Sequence, residues 1–478
     1  MADTSRPNVL LVLTDDQRFD TLGAVNNPHL DTPNLDRLIA RGSCFTHAHI
    51  MGGSSPAVCM PSRAMLHTGR SLYHITDQGQ SIADQHVMLG EHLRAAGYTS
   101  FGCGKWHNGT DAFNRSFDSG REIFFGGMAD HWNVPCFGYD PTGRYAGRIP
   151  ECVDPWSTNE LRHKAADHIT PGLHSTDMLG DAAVEQIERY ARRDPADAPP
   201  WFMYVAFLAP HDPRTMPEQF RDMYSPHDID LPASYMPAHP FDNGELVIRD
   251  EQLEAWPRTE SAVRRHIAEY YAMISHLDFQ MGRVLDALEA SGQVDHTLIV
   301  FAGDNGLAVG RHGLMGKQSL YDHSVRVPLV MAGPGVPEGQ RFNALCYLHD
   351  IYPTVCDLAA LETPPSVEGR SLAPVLRGEQ AGVRDVLHLA YRHLHRGVRD
   401  PRYKLIEINV EGRRRTQLFD LVEDPDELHD RSDEPAQAPT IGRLRNELLG
   451  WRDRMDDTQE GQGATFWAEW DEPRAPGP

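Results

Sequence analysis

The sequence predicts an α/β protein: a large, mostly parallel central sheet flanked by helices on both faces, plus a smaller C-terminal unit with an antiparallel sheet and a helix. Three observations predict it. Short, wholly apolar runs recur along the first 330 or so residues, as in strands buried on both faces. Stretches of helical period separate them, which is the strand-helix-strand order of a parallel sheet. After about residue 385 the pattern changes to short alternating segments divided by charged turns.

Asn8 to Leu13 reads N-V-L-L-V-L and stops at Thr14-Asp15-Asp16, as a buried strand does. A helix follows at Thr32 to Arg41. A helix near His86 to Ala96 then precedes a strand at Tyr98 to Phe101, and a helix near Ser175 to Arg192 precedes a strand at Trp201 to Phe207. From Glu260 to Ser291 the spacing of Ile267, Tyr270, Tyr271, Ile274, Leu277 and Met281 predicts one long helix with a single buried face. It delivers the chain to a strand at Thr297 to Phe301, and a further buried strand is predicted at Val327 to Met331. Residues 116–170 and 210–257 lack periodicity and are rich in Gly, Pro and aromatics, so both read as insertions over the sheet. Val386 to Tyr391, Gly397 to Val398, Tyr403 to Ile408 and Gln417 to Leu421 read as the antiparallel sheet, packed by a helix near Ile441 to Met455. This divides the chain into 1–384 and 385–478, with a Gly-, Pro- and acid-rich tail from about Gln459 that reads as extended or laid on the surface.

Composition narrows the function. At 478 residues the chain exceeds what one core organises. No run of about 18 apolar residues predicts a membrane span. Met1 to Pro7 leads straight into the first strand, so no signal peptide is expected; the sequence as it stands reads as cytoplasmic, or as periplasmic or secreted if a leader was removed. Lys and Arg number 45 against 68 Asp and Glu, a net charge of -23, which argues against nucleic acid and requires any anionic substrate to find a local positive pocket. The seven cysteines, Cys44, Cys59, Cys103, Cys136, Cys152, Cys346 and Cys356, show no C-x-x-C spacing, so neither a disulfide framework nor a zinc cluster is expected.

The residues that carry chemistry sit after predicted strands, where open parallel sheets bind ligands. Asp15-Asp16 follows the first strand and Asp304-Asn305-Gly306 follows the strand ending at Phe301. Either alone reads as a turn. Together they offer three carboxylates and an amide oxygen, hard donors for calcium or magnesium rather than zinc. In Cys59-Met60-Pro61-Ser62-Arg63, Pro61 suits the first helical position, which puts the Cys59 thiol at the positive helix end; a lone cysteine also fits a small buried hydrophobe. Cations follow other strands in Gly104-Lys105-Trp106-His107, in Pro210-His211-Asp212-Pro213-Arg214 and in His312-Gly313-Leu314-Met315-Gly316-Lys317, where each is also compatible with a solvated loop charge. Asp130, His131 and Trp132 lie in an insertion that can reach over the site, where Trp132 would stack on a sugar face, or simply pack their own loop. Arg214, His312, His323 and Arg326 stay undecided between site and scaffold.

The run from Cys59 to Arg70 resembles the signature of the type I sulfatases of the alkaline-phosphatase-like superfamily, C-x-P-S-R followed by x-x-x-L-T-G, with His67 here in place of the usual leucine. The resemblance implies that Cys59 is oxidised to formylglycine (3-oxoalanine) by a formylglycine-generating or sulfatase-maturating enzyme. It also implies that Asp15, Asp16, Asp304 and Asn305 hold a divalent metal whose shell the modified Cys59 completes. Calcium suits such an all-oxygen cage better than magnesium, which is stricter in geometry. By the same resemblance Lys105, His107, His211 and Lys317 surround the sulfate and Arg63 steadies the formylglycine; Arg214, His131, Trp132 and His312 are candidates for the substrate side by their place in the chain alone. Tyr403-Lys404-Leu405-Ile406, Leu418-Phe419-Asp420-Leu421 and Asp424-Pro425 resemble the family's C-terminal subdomain.

What this implies is hydrolysis of a sulfate monoester on a small molecule or oligosaccharide, most commonly a carbohydrate sulfate. The hydrated aldehyde attacks sulfur, His211 protonates the leaving oxygen, and His107 helps the second hydroxyl expel sulfate. The rivals are a phosphonate monoester or phosphodiester hydrolase, an aryl or choline sulfatase, and a binding protein whose Cys59 is never oxidised.

Overall fold

The computed structural model describes residues 6–471 apart from residues 26, 28, 155, 195–197, 459 and 460. Its centre is an eight-stranded sheet. Across it run Gln340–Phe342, Ser43–Phe45, Leu329–Ala332, Thr297–Gly303, Asn8–Thr14, Trp201–Ala206, Thr99–Lys105 and Ser119–Phe124. Five of the seven neighbouring pairs are parallel, and Leu329–Ala332 is antiparallel to both its neighbours. The fold class expected from the sequence is the one observed.

Asn8–Thr14 is buried along its whole length because alternate residues serve two cores. Val9, Leu11 and Leu13 belong to one apolar cluster, with Leu66, Leu89 and Ile351. Leu10 and Val12 belong to another, with Leu35, Leu179 and Leu277. The second face is covered by the helices Pro33–Arg41, Ser175–Ala191 and Glu260–Ala290. The first is covered by the helices Cys59–Thr68, Leu89–Ala95 and Ile351–Leu358. Burial on both faces is why the first strand carries no polar alternation.

Two expectations are corrected. The segment 116–170 is not wholly an insertion over the sheet: Ser119–Phe124 is its edge strand, invisible to periodicity because only its last three residues are buried. Beyond it Arg148–Cys152 and Leu161–Ala165 form an antiparallel hairpin. The tail is not extended over Gly461–Asp471, which is a helix. There Phe466 and Trp467 are buried against Leu405, Leu418 and Leu444, apolar contacts that the tail's average composition conceals; residues 459, 460 and 472–478 lie outside the described residues.

The C-terminal sheet runs Arg413–Asp420, Tyr403–Val410, His395–Arg399, Leu387–Tyr391 and then Gly52–Gly53, the last parallel and drawn from just ahead of Cys59. Helix Ala438–Arg454 packs on it through Leu444 and Leu448. Among the described residues, no helix is long and apolar enough to cross a membrane.

Candidate active site

The carboxyl ends of the central strands converge on Cys59. Asp304 follows directly on Thr297–Gly303, and its neighbouring strand Asn8–Thr14 runs straight into Asp15 and Asp16. Lys105 ends the strand Thr99–Lys105. Gly104 permits that ending: its φ is 86° and a Cβ there would lie 1.9 Å from the Ala206 carbonyl oxygen. Two site residues hold left-handed backbones without being glycine, Asp16 at φ 65° and His107 at φ 75°, a strain that persists only where the surroundings over-determine it.

Cys59 is itself the first helical residue, so Pro61 occupies the third position rather than the first expected for it. The consequence is small, because first-turn N–H groups have no intrahelical acceptor to lose. The thiol is 2% exposed. Its Sγ lies 3.4 Å from Lys105 Nζ and 3.5 Å from His107 Nδ1, and Asp15 and Asp304 come close enough to share a metal with it. Burial pushes the thiol up to about 11, opposed by Lys105 and Lys317. As a plain thiol it is therefore protonated near neutrality.

Arg63, one turn on, is fully buried and clamps the floor. Its Nε donates to Asp304 Oδ2 at 2.8 Å, and its Nη1 donates to the Lys105 carbonyl at 2.6 Å and to Tyr204 Oη at 3.1 Å. Its Nη2 lies 3.9 Å from Asp15 Oδ1 and has no hydrogen-bond partner. Lys105 Nζ donates to Asp15 Oδ2 at 2.5 Å, and Lys317 Nζ to Asp16 Oδ1 at 2.5 Å. Asn305 Nδ2 also donates to Asp16 Oδ1, at 2.8 Å.

Three carboxylates thus face three permanent cations in a buried site. Burial and the nearby Asp15 charge push the Asp304 carboxyl up to about 7. Burial acts on Asp15 in the same sense, but Lys105, His211, Arg63 and Lys317 outweigh it and hold that carboxyl far below its usual range. His107 is driven down to about 2 by burial and by Lys105 and Arg63, so its ring is neutral. Asp15 Oδ1 and Asn305 Oδ1 are buried oxygens without hydrogen-bond partners. Hard donors left unpaired beside a crowded carboxylate set fit a divalent cation.

His211 reaches the same place from the next strand. Its Nδ1 donates to the Asp212 carbonyl at 2.7 Å, which leaves Nε2 facing Asp16 Oδ2 at 3.6 Å. His131 stands behind it, buried, between Ser175 Oγ at 2.7 Å and the His211 carbonyl at 2.9 Å. It contacts the His211 backbone rather than offering its ring to a substrate.

The other substrate-side candidates point elsewhere. Trp132 meets His174 edge-on, with ring centroids 5.0 Å apart. Arg214 bonds His266 on the long helix. His312 stacks on Tyr321, bonds His323, and shares its Nε2 with the Glu427 carbonyl, and Arg326 bonds the Thr46 carbonyl. Asp130 closes its own turn onto Trp132 and Asn133.

Sequence reasoning passed over Tyr204, Tyr270 and Arg249. The apolar spacing places Tyr270 on the buried helix face, where its hydroxyl has no pattern of its own. Arg249 is ion-paired with Asp212 Oδ2 and lies near Asp250. A further group, His174, Asp177 and His276, is close enough to share a metal. However, His174 Nε2 donates to the Thr215 carbonyl and Nδ1 accepts the Thr176 N–H, so neither ring nitrogen is free for one.

The chain matches the family model described as Sulfatase over residues 7–361, and the one described as N-sulphoglucosamine sulphohydrolase, C-terminal, over residues 310–454. It is 28% identical over 473 residues to an arylsulfatase of Clostridium perfringens, covering 93% of this chain and 94% of that one. It is 25% identical over 501 residues to an N-acetylglucosamine-6-O-sulfatase of Bacteroides thetaiotaomicron, covering 89% and 83%. Its fold is similar to that of the phosphonate monoester hydrolase of Agrobacterium radiobacter, with a TM-score of 0.73 at 24% identity over 94% and 96% of the two chains.

Proposed function

This chain belongs to the sulfatase family, the sulfuric ester hydrolases, and from that premise we propose that it cleaves a sulfate monoester on a sugar through a formylglycine made from Cys59 and a calcium ion held by Asp15, Asp16, Asp304 and Asn305. The observation that carries the reading is the convergence on Cys59 Sγ of Lys105 Nζ, His107 Nδ1, Asp15 and Asp304 in one buried site. The sugar preference is supported by the C-terminal match to the N-sulphoglucosamine sulphohydrolase model and by the N-acetylglucosamine-6-O-sulfatase relative.

The residues fit both groups. A carbonyl oxygen at Cys59 would find Lys105 Nζ as a donor, and the unpartnered oxygens of Asp15 and Asn305 suit a hard cation. When bound, the cation polarises the sulfate oxygens, and the formylglycine supplies a hydroxyl nucleophile from which sulfate can later be released, as it could not be from serine.

The chain's own groups do the rest. Three carboxylates and three fixed cations leave the protein site near neutrality, so a divalent ion makes it attractive to a sulfate ester anion. Lys105 and Lys317 neutralise the oxygens that gain charge during displacement. His211, with Nδ1–H held by the Asp212 carbonyl, delivers a proton from Nε2 to the leaving oxygen when both its ring nitrogens are protonated. His107 sets its Nδ1 3.5 Å from Cys59 Sγ, the position from which it takes the proton of the second hydroxyl.

A formylglycine-generating or sulfatase-maturating partner is required. Its action is read by mass: the Cys59 peptide should be lighter by the exchange of one sulfur and two hydrogens for one oxygen. Turnover of sulfated sugars is measured beside aryl sulfate and aryl phosphonate. An unmodified Cys59 in active protein, activity surviving Cys59→Ala, or a faster rate on the phosphonate would overturn the reading.

A further inference from the structure

Between His211 and the long helix lies one short 3₁₀ turn, Arg249–Leu253, whose leading side chains reach two separate parts of the Cys59 site. Arg249 is ion-paired with Asp212 Oδ2. Asp212 is the residue whose carbonyl holds His211 Nδ1–H, and its own Oδ1 lies 3.6 Å from that nitrogen. Asp250 Oδ2 accepts from Gln318 Nε2 at 2.7 Å, and Gln318 Oε1 accepts the Lys317 backbone N–H at 2.9 Å. The Glu251 carboxylate accepts the Met315 N–H at 2.9 Å and the Gly316 N–H at 2.8 Å, the amides that lead into Lys317.

Gly316 lets the turn come this near, since a Cβ there would lie 2.4 Å from Gln318 Oε1 and 2.9 Å from Asp250 Cβ. Glu251 is buried, and burial pushes its carboxyl up against the pull of those amides and of Arg258. Arg258, itself fully buried, donates through Nη2 to Glu251 Oε2 at 2.9 Å and to the Glu251 carbonyl at 2.7 Å. Its guanidinium sits 3.6 Å from the centre of the Trp256 ring. Burying a carboxylate is costly unless it is paired. Here the partners are the loop that carries Lys317 and the arginine that fixes the carboxylate in place.

The two groups held from this turn meet at one carboxylate. His211 Nε2 lies 3.6 Å from Asp16 Oδ2, and Lys317 Nζ lies 2.5 Å from Asp16 Oδ1. Gln318 Nε2 also donates to the Pro56 carbonyl at 2.9 Å, just ahead of Cys59. These segments are remote from one another in sequence, and a misplacement of about 1 Å at such groups can cost about a hundredfold in rate.

We propose that the Arg249–Leu253 turn is a yoke that sets His211 and Lys317 at one spacing around the sulfate, with Arg249 and Glu251 as positioning residues. The proposal rests on the reading that His211 protonates the leaving oxygen and Lys317 neutralises the sulfate oxygens.

The test uses the full chain, matured at Cys59 and supplied with calcium, and the variants Glu251→Gln, Arg249→Met and Arg249→Lys; unfolding midpoints are measured first. In Glu251→Gln one carboxylate oxygen becomes an amide that confronts the Arg258 and Met315 donors. Calorimetric binding of inorganic sulfate should weaken by about tenfold in it, as lost outer support does. In Arg249→Met it should stay within about threefold of the parent, the loss of one half-exposed charge. Turnover is compared on 4-nitrophenyl sulfate, whose phenolate leaves without a proton, and on phenyl sulfate, whose more basic phenolate gains from one. Glu251→Gln should lower kcat on both esters alike, because the sulfate oxygens gain charge whichever alcohol leaves. Arg249→Met should lower kcat on phenyl sulfate by about tenfold more than on the nitrophenyl ester, and Arg249→Lys, which keeps a cation for Asp212, should recover most of that ratio. A parental value in either arm, with only the unfolding midpoint moved, overturns the yoke. Equal losses on the two esters in His211→Ala would instead overturn the assignment of the proton donor, and sulfate binding without turnover of any ester in the parent would overturn the catalytic reading.

Discussion

The phenol of Tyr270 donates to the Asp16 carbonyl at 2.6 Å and accepts the Arg18 backbone N–H at 2.9 Å, with the ring fully buried. It thus pins both sides of the turn in which Asp16 is held left-handed. The helix that carries it, Glu260–Ala290, leads almost directly into Thr297–Gly303 and Asp304, so one element fixes both halves of the carboxylate set. Tyr270→Phe should orphan a buried carbonyl and a buried N–H, costing about 1–3 kcal/mol of stability. It should also weaken calcium binding by roughly tenfold, as lost outer support for a ligand does. Calorimetric calcium titration reads the second effect; unchanged affinity would show that the turn holds itself.

Calcium should stabilise the fold. Asp304, pushed up to about 7 by burial and Asp15, reports carboxylate crowding that a divalent ion relieves. At about one hundred times its dissociation constant, calcium should add about 2.7 kcal/mol to unfolding. Thermal scans after chelation and across a calcium series should show the midpoint rising with concentration, and by less with magnesium. A midpoint indifferent to either ion counts against the metal assignment.

How much of this was legible beforehand depends on what each residue does. Asp15, Asp16, Asp304 and Lys105 could be read because strand ends in a parallel sheet are fixed by apolar runs, and polar residues just beyond them stand out. His131, Trp132 and His312 could not be placed, because an aromatic or imidazole in an aperiodic segment carries no sign of which way its loop turns. His312 stacks on Tyr321, a pairing that no spacing announces. Gly461–Asp471 was missed because average composition hid two core aromatics among glycines and acids.

Acid should loosen the segment after the Cys59 helix. Burial would raise the Glu368 carboxyl, but hydrogen bonds from His74 and Ser71 hold it down to about 2. Because the folded value lies below the unfolded one, the stabilisation is present above about pH 4.5 and is lost as pH falls towards 2. With the side chain 28% exposed, it is worth on the order of 1–2 kcal/mol after screening. Urea midpoints from pH 7 to 3 should flatten across that window in Glu368→Gln; a parallel slope would assign the acid sensitivity elsewhere.

Lys404 fastens the C-terminal sheet to the central unit. Its buried ammonium donates to Asp322 Oδ1 at 2.5 Å, to Glu427 Oε1 at 2.6 Å and to the Leu320 carbonyl at 3.1 Å. Lys404→Met leaves two buried carboxylates facing each other and should cost about 3–5 kcal/mol. Glu427→Gln should cost less, about 1 kcal/mol, because burial and Asp322 already push that carboxyl up to about 7. Denaturant unfolding of the two variants should preserve that order; the reverse would mean the charge sits on Glu427 rather than on Asp322.

Arg63→Lys separates charge from geometry at the floor of the Cys59 site. The guanidinium serves Asp304 through Nε, and the Lys105 carbonyl and Tyr204 through Nη1, while Nη2 points towards Asp15. A lysine keeps the charge but offers one nitrogen, which cannot reach Asp304 and the Lys105 carbonyl on opposite sides of the fork. Lys105 would then lose the anchor that sets its ammonium 3.4 Å from Cys59 Sγ. The expected result is a fall in kcat of about 100-fold or more, with KM changed far less and Cys59 converted normally by mass. If kcat instead stays within about threefold of the parent, Arg63 supplies only charge, and the fork it makes is scaffold rather than catalysis.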